Sequence, residues 1–224
     1  MLLSRIELRP EAAGSSAFWA RVESVYDVHR VVWQWFTDSP GRKRDFLYRQ
    51  EGEGTSVRFY TLSDREPKDP DGLWNIESKA FSPRFVSGDR LEFSLRANPT
   101  RRSAHGSGKG KRHDVVMDAK RRPREIAEDK EGPGADLIQS ECFRWLEAKA
   151  MLSGFALQPG DVDVEGYRQP RFQRQPGALP VQVTTVELRG CLTVTEPGRF
   201  VEALRQGIGP AKGFGCGLML VRRA

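Results

Sequence analysis

Apolar and polar residues alternate from Leu2 to Leu8, the period-two pattern of a half-buried strand. Pro10 to Ser16 reads as a linker of small residues. Phe18, Val22, Val25, Tyr26, His29, Val32, Trp33 and Phe36 then recur at intervals of three and four, which predicts an amphipathic helix. Ser24, with Asp27 three residues on, can cap its regular part, and Thr37 to Gly41 ends it. Arg44–Gln50 and Ser56–Leu62 read as two strands joined by a turn over Glu51–Gly54. Leu73–Phe81 is ambiguous. Arg90–Arg96 alternates cleanly and is the best strand of the first half.

In the second half, Thr100–His113 is rich in Gly, Ser, Lys and Arg and reads as a mobile loop. Val115–Met117 reads as a short strand and Asp136–Leu152 as a second amphipathic helix. Pro159–Pro180 contains loops around Tyr167–Phe172. Val181–Val194 alternates as a long strand, and a helix over Arg199–Arg205 follows Pro197-Gly198. A glycine-dense loop and a last strand over Leu218–Val221 end the chain. This order predicts an α+β fold of two tandem ferredoxin-like (RRM-like) domains, each an antiparallel sheet with helices on one face. The expected division is residues 1–95 and 96–224.

Composition adds a partner class. The 224 residues hold 36 Lys and Arg against 30 Asp and Glu, a net charge of +6. Charge is concentrated between Arg96 and Arg124, where ten cations face only Asp114 and Asp118, leaving +8 in that segment. Neutralising phosphates is one use for such a cluster, and a solvated loop is the other reading. No apolar run nears the ~20 residues that span a bilayer, and the opening residues lack a secretory core, so a cytoplasmic protein with no membrane partner is expected. Cys142, Cys191 and Cys216 are widely spaced among apolar neighbours and read as buried thiols. No Asp, Glu or His grouping has metal-ligand spacing, so neither metal nor cofactor is expected.

Two motifs carry candidate chemistry. Gly207, Gly209, Gly213, Gly215 and Gly217 surround Lys212 in one loop. Closely spaced glycines let backbone N–H groups approach an oxyanion, and the lysine adds a point charge for phosphate. It is not a P-loop, because no Gly-Lys-Ser/Thr follows four free positions after a glycine, nor a dinucleotide fingerprint, because a helix precedes it and a strand follows. Tyr26 and His29 lie three apart near the start of the first helix, on one face. The positive end of the helix favours a neutral imidazole beside an anion, which suits proton transfer. By themselves, on the apolar stripe, they read first as packed core residues.

The run Gln206-Gly207-Ile208-Gly209-Pro210-Ala211-Lys212-Gly213-Phe214-Gly215-Cys216-Gly217-Leu218 resembles the glycine-rich signature of the repeat-associated RNA-binding proteins of CRISPR systems. It is most similar to one branch, the CasE-type repeat-processing endoribonuclease of type I-E Cascade. Leu3-Ser4-Arg5, Tyr26-Asp27-Val28-His29-Arg30, Arg44-Asp45-Phe46-Leu47-Tyr48 and Leu95-Arg96-Ala97-Asn98-Pro99 agree with that branch, in order along the chain. The Pro10–Ser16 lead, the glycine-rich Ser103–Lys111 stretch and Pro176–Pro180 depart from it.

The resemblance implies metal-independent cleavage at the base of a repeat stem-loop. The 2′-OH attacks the adjacent phosphodiester and leaves a 2′,3′-cyclic phosphate, and the product guide RNA is retained. It implies Tyr26 and His29 as the catalytic pair, with His29 moving the proton and Tyr26 orienting the reacting groups. Lys212 and the loop glycines would hold the phosphate. Arg96, Arg101, Arg102, Lys111 and Arg112 would grip the stem, and Arg168 would contact RNA near the cut. The implied partners are the repeat hairpin, the guide RNA and other Cascade subunits, with a monomer when free. A non-catalytic RNA-binding scaffold subunit of the same superfamily is the alternative, and a duplex-DNA-binding protein ranks below it.

Overall fold

The computed structural model describes residues 1–19, 24–39, 41–52, 56–102, 112–121, 134–173 and 177–224. The chain opens with β1 (Leu2–Leu8), the short helices α1 (Pro10–Ala13) and α2 (Ser16–Trp19), and α3 (Val25–Gln34). β2 (Phe46–Glu51), β3 (Arg58–Ser63) and β4 (Trp74–Ala80) complete a first sheet in the order β2-β3-β1-β4, every pair antiparallel. Ile6 of β1 sits opposite Phe59 and Ile76, which sets the buried face. Val32, Trp35 and Phe36 of α3 and its end pack there with Ile6, Phe46, Phe59 and Trp74. Each such large apolar side chain contributes roughly 1.5–3 kcal/mol on burial.

The second sheet begins with β5 (Arg90–Ala97). Next come the hairpin β6 (Thr100–Arg102) and β7 (Arg112–Asp114), then helices α4 (Val115–Arg121) and α5 (Ala135–Ser153). β8 (Phe155–Ala156), β9 (Val162–Arg168), the pair β10 (Arg171–Phe172) and β11 (Val181–Gln182), β12 (Thr185–Val194), α6 (Pro197–Gln206) and β13 (Met219–Arg223) follow. The strand order is β13-β5-β12-β8, with β9 also paired to β12. Leu95, Leu188, Leu146, Phe155 and Phe200 join sheet and helices in one core. Each sheet repeats one arrangement: the first strand is flanked by the last two of the domain, β3 and β4 around β1 and β12 and β13 around β5, with β2 at the edge of the first sheet and β8 and β9 together in the matching place beside β12. This is the ferredoxin-like order, so the fold class expected from sequence is the observed one.

Several local expectations change. The Pro10–Ser16 linker contains α1, which has Pro10 at its first turn. The regular helix begins at Val25, where Ser24 and Asp27 form the expected capping box: the Asp27 amide donates to Ser24 Oγ at 3.2 Å and the Ser24 amide to Asp27 Oδ2 at 3.0 Å. Val115–Met117 is helix, not strand, because Asp114 Oδ1 accepts the Val116 and Met117 amides at 2.9 Å each and starts α4. β9 occupies the first part of Pro159–Pro180 and runs into the expected loop around Tyr167–Phe172. Gln139 of α5 grips it, donating to the Val162 carbonyl at 2.7 Å and accepting the Val164 amide at 3.0 Å. All of β5 pairs with β12 and β13, so the change of sheet falls between Ala80 and Arg90, and a division at 95/96 would cut through β5.

Candidate RNA-binding and cleavage site

The capping box fixes the start of α3, and with it Tyr26 and His29 on one face. Their rings lie 6.0 Å apart, nearly parallel. His29 also meets the edge of Trp33 at 6.0 Å and the ring of Phe214 at 5.7 Å. Phe214 belongs to the glycine-rich loop of the other domain, so this loop closes over the helix that carries the candidate pair.

Phe214 ends a 3-10 turn over Lys212–Phe214, and the loop is shaped by its surroundings. Gly207 and Gly209 have φ of +76° and +80°, a region that side chains disfavour. A Cβ on Gly207 would lie 2.8 Å from Leu47, and one on Gly209 2.8 Å from Trp145. Gly215 and Gly217 are also left-handed, with Tyr48 and the Ile208 carbonyl close by. The Gly207 amide donates to the Ala203 carbonyl and the Gly217 amide to the Arg96 carbonyl, both at 2.8 Å. These glycines serve close packing, and the Gly207 and Gly217 amides are engaged within the fold. Gly213 differs. A Cβ there would rest 3.5 Å from His29 Cε1, in ordinary contact. Its carbonyl accepts the Tyr48 hydroxyl at 2.9 Å, which ties the loop to β2 of the first domain. Burial raises the Tyr48 hydroxyl well above its usual pKa, so it remains a donor.

The two domains are joined by further contacts along β2. Leu47 packs with Leu62 and Leu218, one residue from each neighbouring strand region. Arg49, only 2 % exposed, donates to Glu187 Oε2 at 2.9 Å, and Arg96 Nε donates to Glu187 Oε1 at 2.5 Å. Arg96 was expected to grip RNA. It pairs with Glu187 between the sheets and is not among the residues lining the basic groove described next.

That groove is a cavity of about 930 Å³ formed where the β6–β7 hairpin, α5 and the glycine loop meet. Arg101, Arg102 and Arg112 enter it from the hairpin, and Arg144 and Lys149 from α5. Lys212 enters from the glycine loop and Arg44 from the segment before β2. Glu141 is the carboxylate among the lining residues, and it already accepts from Arg144 at 2.8 Å. Arg101 is paired with Asp118 of α4. Desolvation, followed by the charges of Arg44, Arg112 and Lys149, holds the Lys212 ammonium below its usual pKa. Such crowding of like charge is relieved by a bound polyanion.

Lys212 lines this groove while its neighbour Gly213 lies against His29. The groove therefore leads to the candidate pair. Lys111, another expected contact, lies outside the described residues. Arg168 is exposed at the end of β9, apart from the groove lining. Four residues on, Phe172 packs on Phe214 at 5.1 Å, so the β9–β10 turn borders the loop that covers His29. Sequence reading missed Arg44, Arg144 and Lys149 as groove residues. For α5 a signal existed, since Arg144, Ala148 and Lys149 fall on its polar side. Among the described residues no group of three or more His, Cys, Asp or Glu side chains is placed to hold a metal ion.

A tandem ferredoxin-like pair with a glycine-rich loop clamped between its domains, opening on a cationic groove, defines a protein built for a polyanion. The chain belongs to the CRISPR-associated protein family, whose model matches residues 1–223. It is 28 % identical over 228 residues to the CRISPR-associated endoribonuclease Cse3 of Thermus thermophilus, covering 99 % of both chains. It is 28 % identical over 203 residues to the CRISPR system Cascade subunit CasE of Escherichia coli, covering 90 % of this chain and 92 % of that one. Among solved structures, that of CRISPR endoribonuclease Cse3 bound to a 19-nucleotide RNA superposes with a TM-score of 0.74 at 27 % identity, covering 99 % and 100 % of the two chains. No described helix is long and apolar enough to cross a membrane.

Proposed function

We propose that this protein is a CRISPR repeat-processing endoribonuclease that binds the repeat hairpin, cuts it at the stem base and keeps the guide RNA as a subunit of Cascade, in the cytoplasm. The observation that carries the reading is the continuity between groove and helix: Lys212 lines the one and Gly213 touches His29 of the other. A-form stems offer shape and phosphates more than readable base edges, which suits a groove walled by Arg102, Arg112, Arg144 and Lys149.

In the mechanism, the stem lies in the groove and its base reaches the loop. Tyr26 orients the 2′-hydroxyl or the phosphate. His29 transfers a proton to the leaving 5′-oxygen, which needs no metal. Lys212 offsets the charge that grows on the phosphorane oxygens. Arg168 contacts RNA beside the cut. Glu187 holds Arg49 and Arg96, and through them the two domains that together build the site.

The test is cleavage of the source organism's repeat hairpin in EDTA, alongside the same hairpin with a 2′-deoxy nucleotide at the cut. The reading predicts one cut with a cyclic-phosphate end in the first, and tight binding without cutting in the second. Equal cutting of both would exclude 2′-OH attack. Binding without cutting of either would make the protein a scaffold subunit.

A further inference from the structure

The groove contains a cation that the fold does not explain. Arg44 precedes β2, next to Asp45, whose carboxylate is fully engaged. Asp45 accepts from Arg65 at 2.7 and 2.8 Å and pairs with Arg42 at 3.5 Å. Arg44 takes no part in that cluster. Its Nη1 is buried and makes no hydrogen bond among the described residues, and no described carboxylate pairs with it. A buried guanidinium nitrogen without a protein acceptor needs a ligand oxygen or a water to complete it, and leaving it unmet costs free energy. The surroundings narrow the choice. Arg44 lines the cavity together with Lys212, Arg112 and Lys149, and the carboxylates nearest the groove are engaged by Arg144 and Arg101. Burial lowers the Arg44 pKa, and its charge in turn helps lower that of Lys212. Like charges held this close favour an anion between them.

We propose that Arg44 and Lys212 form a phosphate clamp, one jaw from each domain, that grips a backbone phosphate of the bound RNA beside the residues facing His29. The clamp rests on the endoribonuclease reading for the identity of its ligand, but not for its phosphate chemistry. Planar guanidinium N–H groups meet a phosphate two at a time, and the lysine adds a point charge. Because its jaws come from different domains, the bound phosphate also bridges them. Arg44 therefore contributes to ligand binding at a cost to the free fold.

That trade gives the test its sign. Arg44→Met keeps the apolar stem and removes the unpaired charge. Measured without RNA, its Tm is expected to equal or exceed that of the parent. Measured with the repeat hairpin, its affinity is expected to fall at least about tenfold, the loss of one charge-assisted contact. The slope of log K against log salt should fall by about one. Arg44→Lys, which keeps charge but not the fork, should recover part of the affinity. Inorganic pyrophosphate serves as a probe that needs no RNA. It should raise the Tm of the parent more than that of Arg44→Met or Lys212→Met. A variant less stable than the parent with unchanged RNA affinity and pyrophosphate response would overturn the clamp and make Arg44 structural. If the parent fails to bind the hairpin, the endoribonuclease reading falls, and the pyrophosphate arm still decides the clamp.

Discussion

The glycine loop should tolerate substitution unequally. At Gly209 an alanine must adopt φ near +80°, which costs about 1–2 kcal/mol for a residue with a Cβ. Its methyl would also fall 2.8 and 2.9 Å from two ring atoms of Trp145. That ring cannot simply turn aside, because its Nε1 donates to the Thr100 carbonyl at 3.1 Å and anchors the β6–β7 hairpin. Overpacking of this kind costs about 1–3 kcal/mol. The sum, about 3 kcal/mol, should lower Tm by roughly 6–12 °C for a chain of this size. At Gly213 the φ is not left-handed, and the added methyl would rest 3.5 Å from His29 Cε1 in ordinary contact. Gly213→Ala should stay within about 1 kcal/mol of the parent. Thermal unfolding followed by circular dichroism measures both. Equal stability of the two variants would refute the idea that each glycine answers to its own neighbours.

Ser24→Ala removes the cap that begins α3 and should cost about 1 kcal/mol, with slower cleavage because Tyr26 and His29 ride on that turn; an unchanged Tm would count against it. Glu187→Ala leaves the buried Arg49 short of its main acceptor and should cost roughly 3 kcal/mol, whereas Arg49→Met with Glu187→Leu should regain most of this, as urea midpoints would reveal. Burial pushes the Cys142 and Cys216 thiols up to about 12, against about 8.5 in an unfolded chain. The folded state keeps protons that the unfolded state releases. Stability is therefore full below about pH 8.5 and declines as pH rises toward 12. Replacing both cysteines by alanine should flatten that decline between about pH 8.5 and 10, before the Tyr48 hydroxyl and the half-buried Tyr167 hydroxyl contribute.

The sequence was most informative where one element faces water on one side only. Alternation placed β1, β5 and β12, and the Ser24–Asp27 pair placed the start of α3 within a residue. It was least informative where tertiary contacts decide. β9 carries little alternation and is held by Gln139 from α5, a pairing remote in sequence. α4 follows a strand directly, and its Asp114 cap is also bound by the Tyr167 hydroxyl at 3.1 Å, so its helical start depends on the fold around it. The glycine run was legible as a motif but not as a packing device, since Leu47, Trp145 and Tyr48 lie far along the chain. Arg96 reads as one more cation in a basic segment, and only the facing β12 reveals Glu187 as its partner. Arg144 and Lys149 show in sequence only as the polar side of α5 and Arg44 carries no mark of its own, so the groove becomes visible only when these elements converge.

The central claim is that His29, held between Tyr26 and Phe214, transfers the proton that completes cleavage. Single-turnover rates of the parent and His29→Ala on the repeat hairpin, with enzyme saturating and EDTA present, test it most directly. The rate should be lower by at least about a hundredfold in the variant, the low end for a general acid–base group, with hairpin affinity unchanged. Equal rates at equal affinity would contradict it.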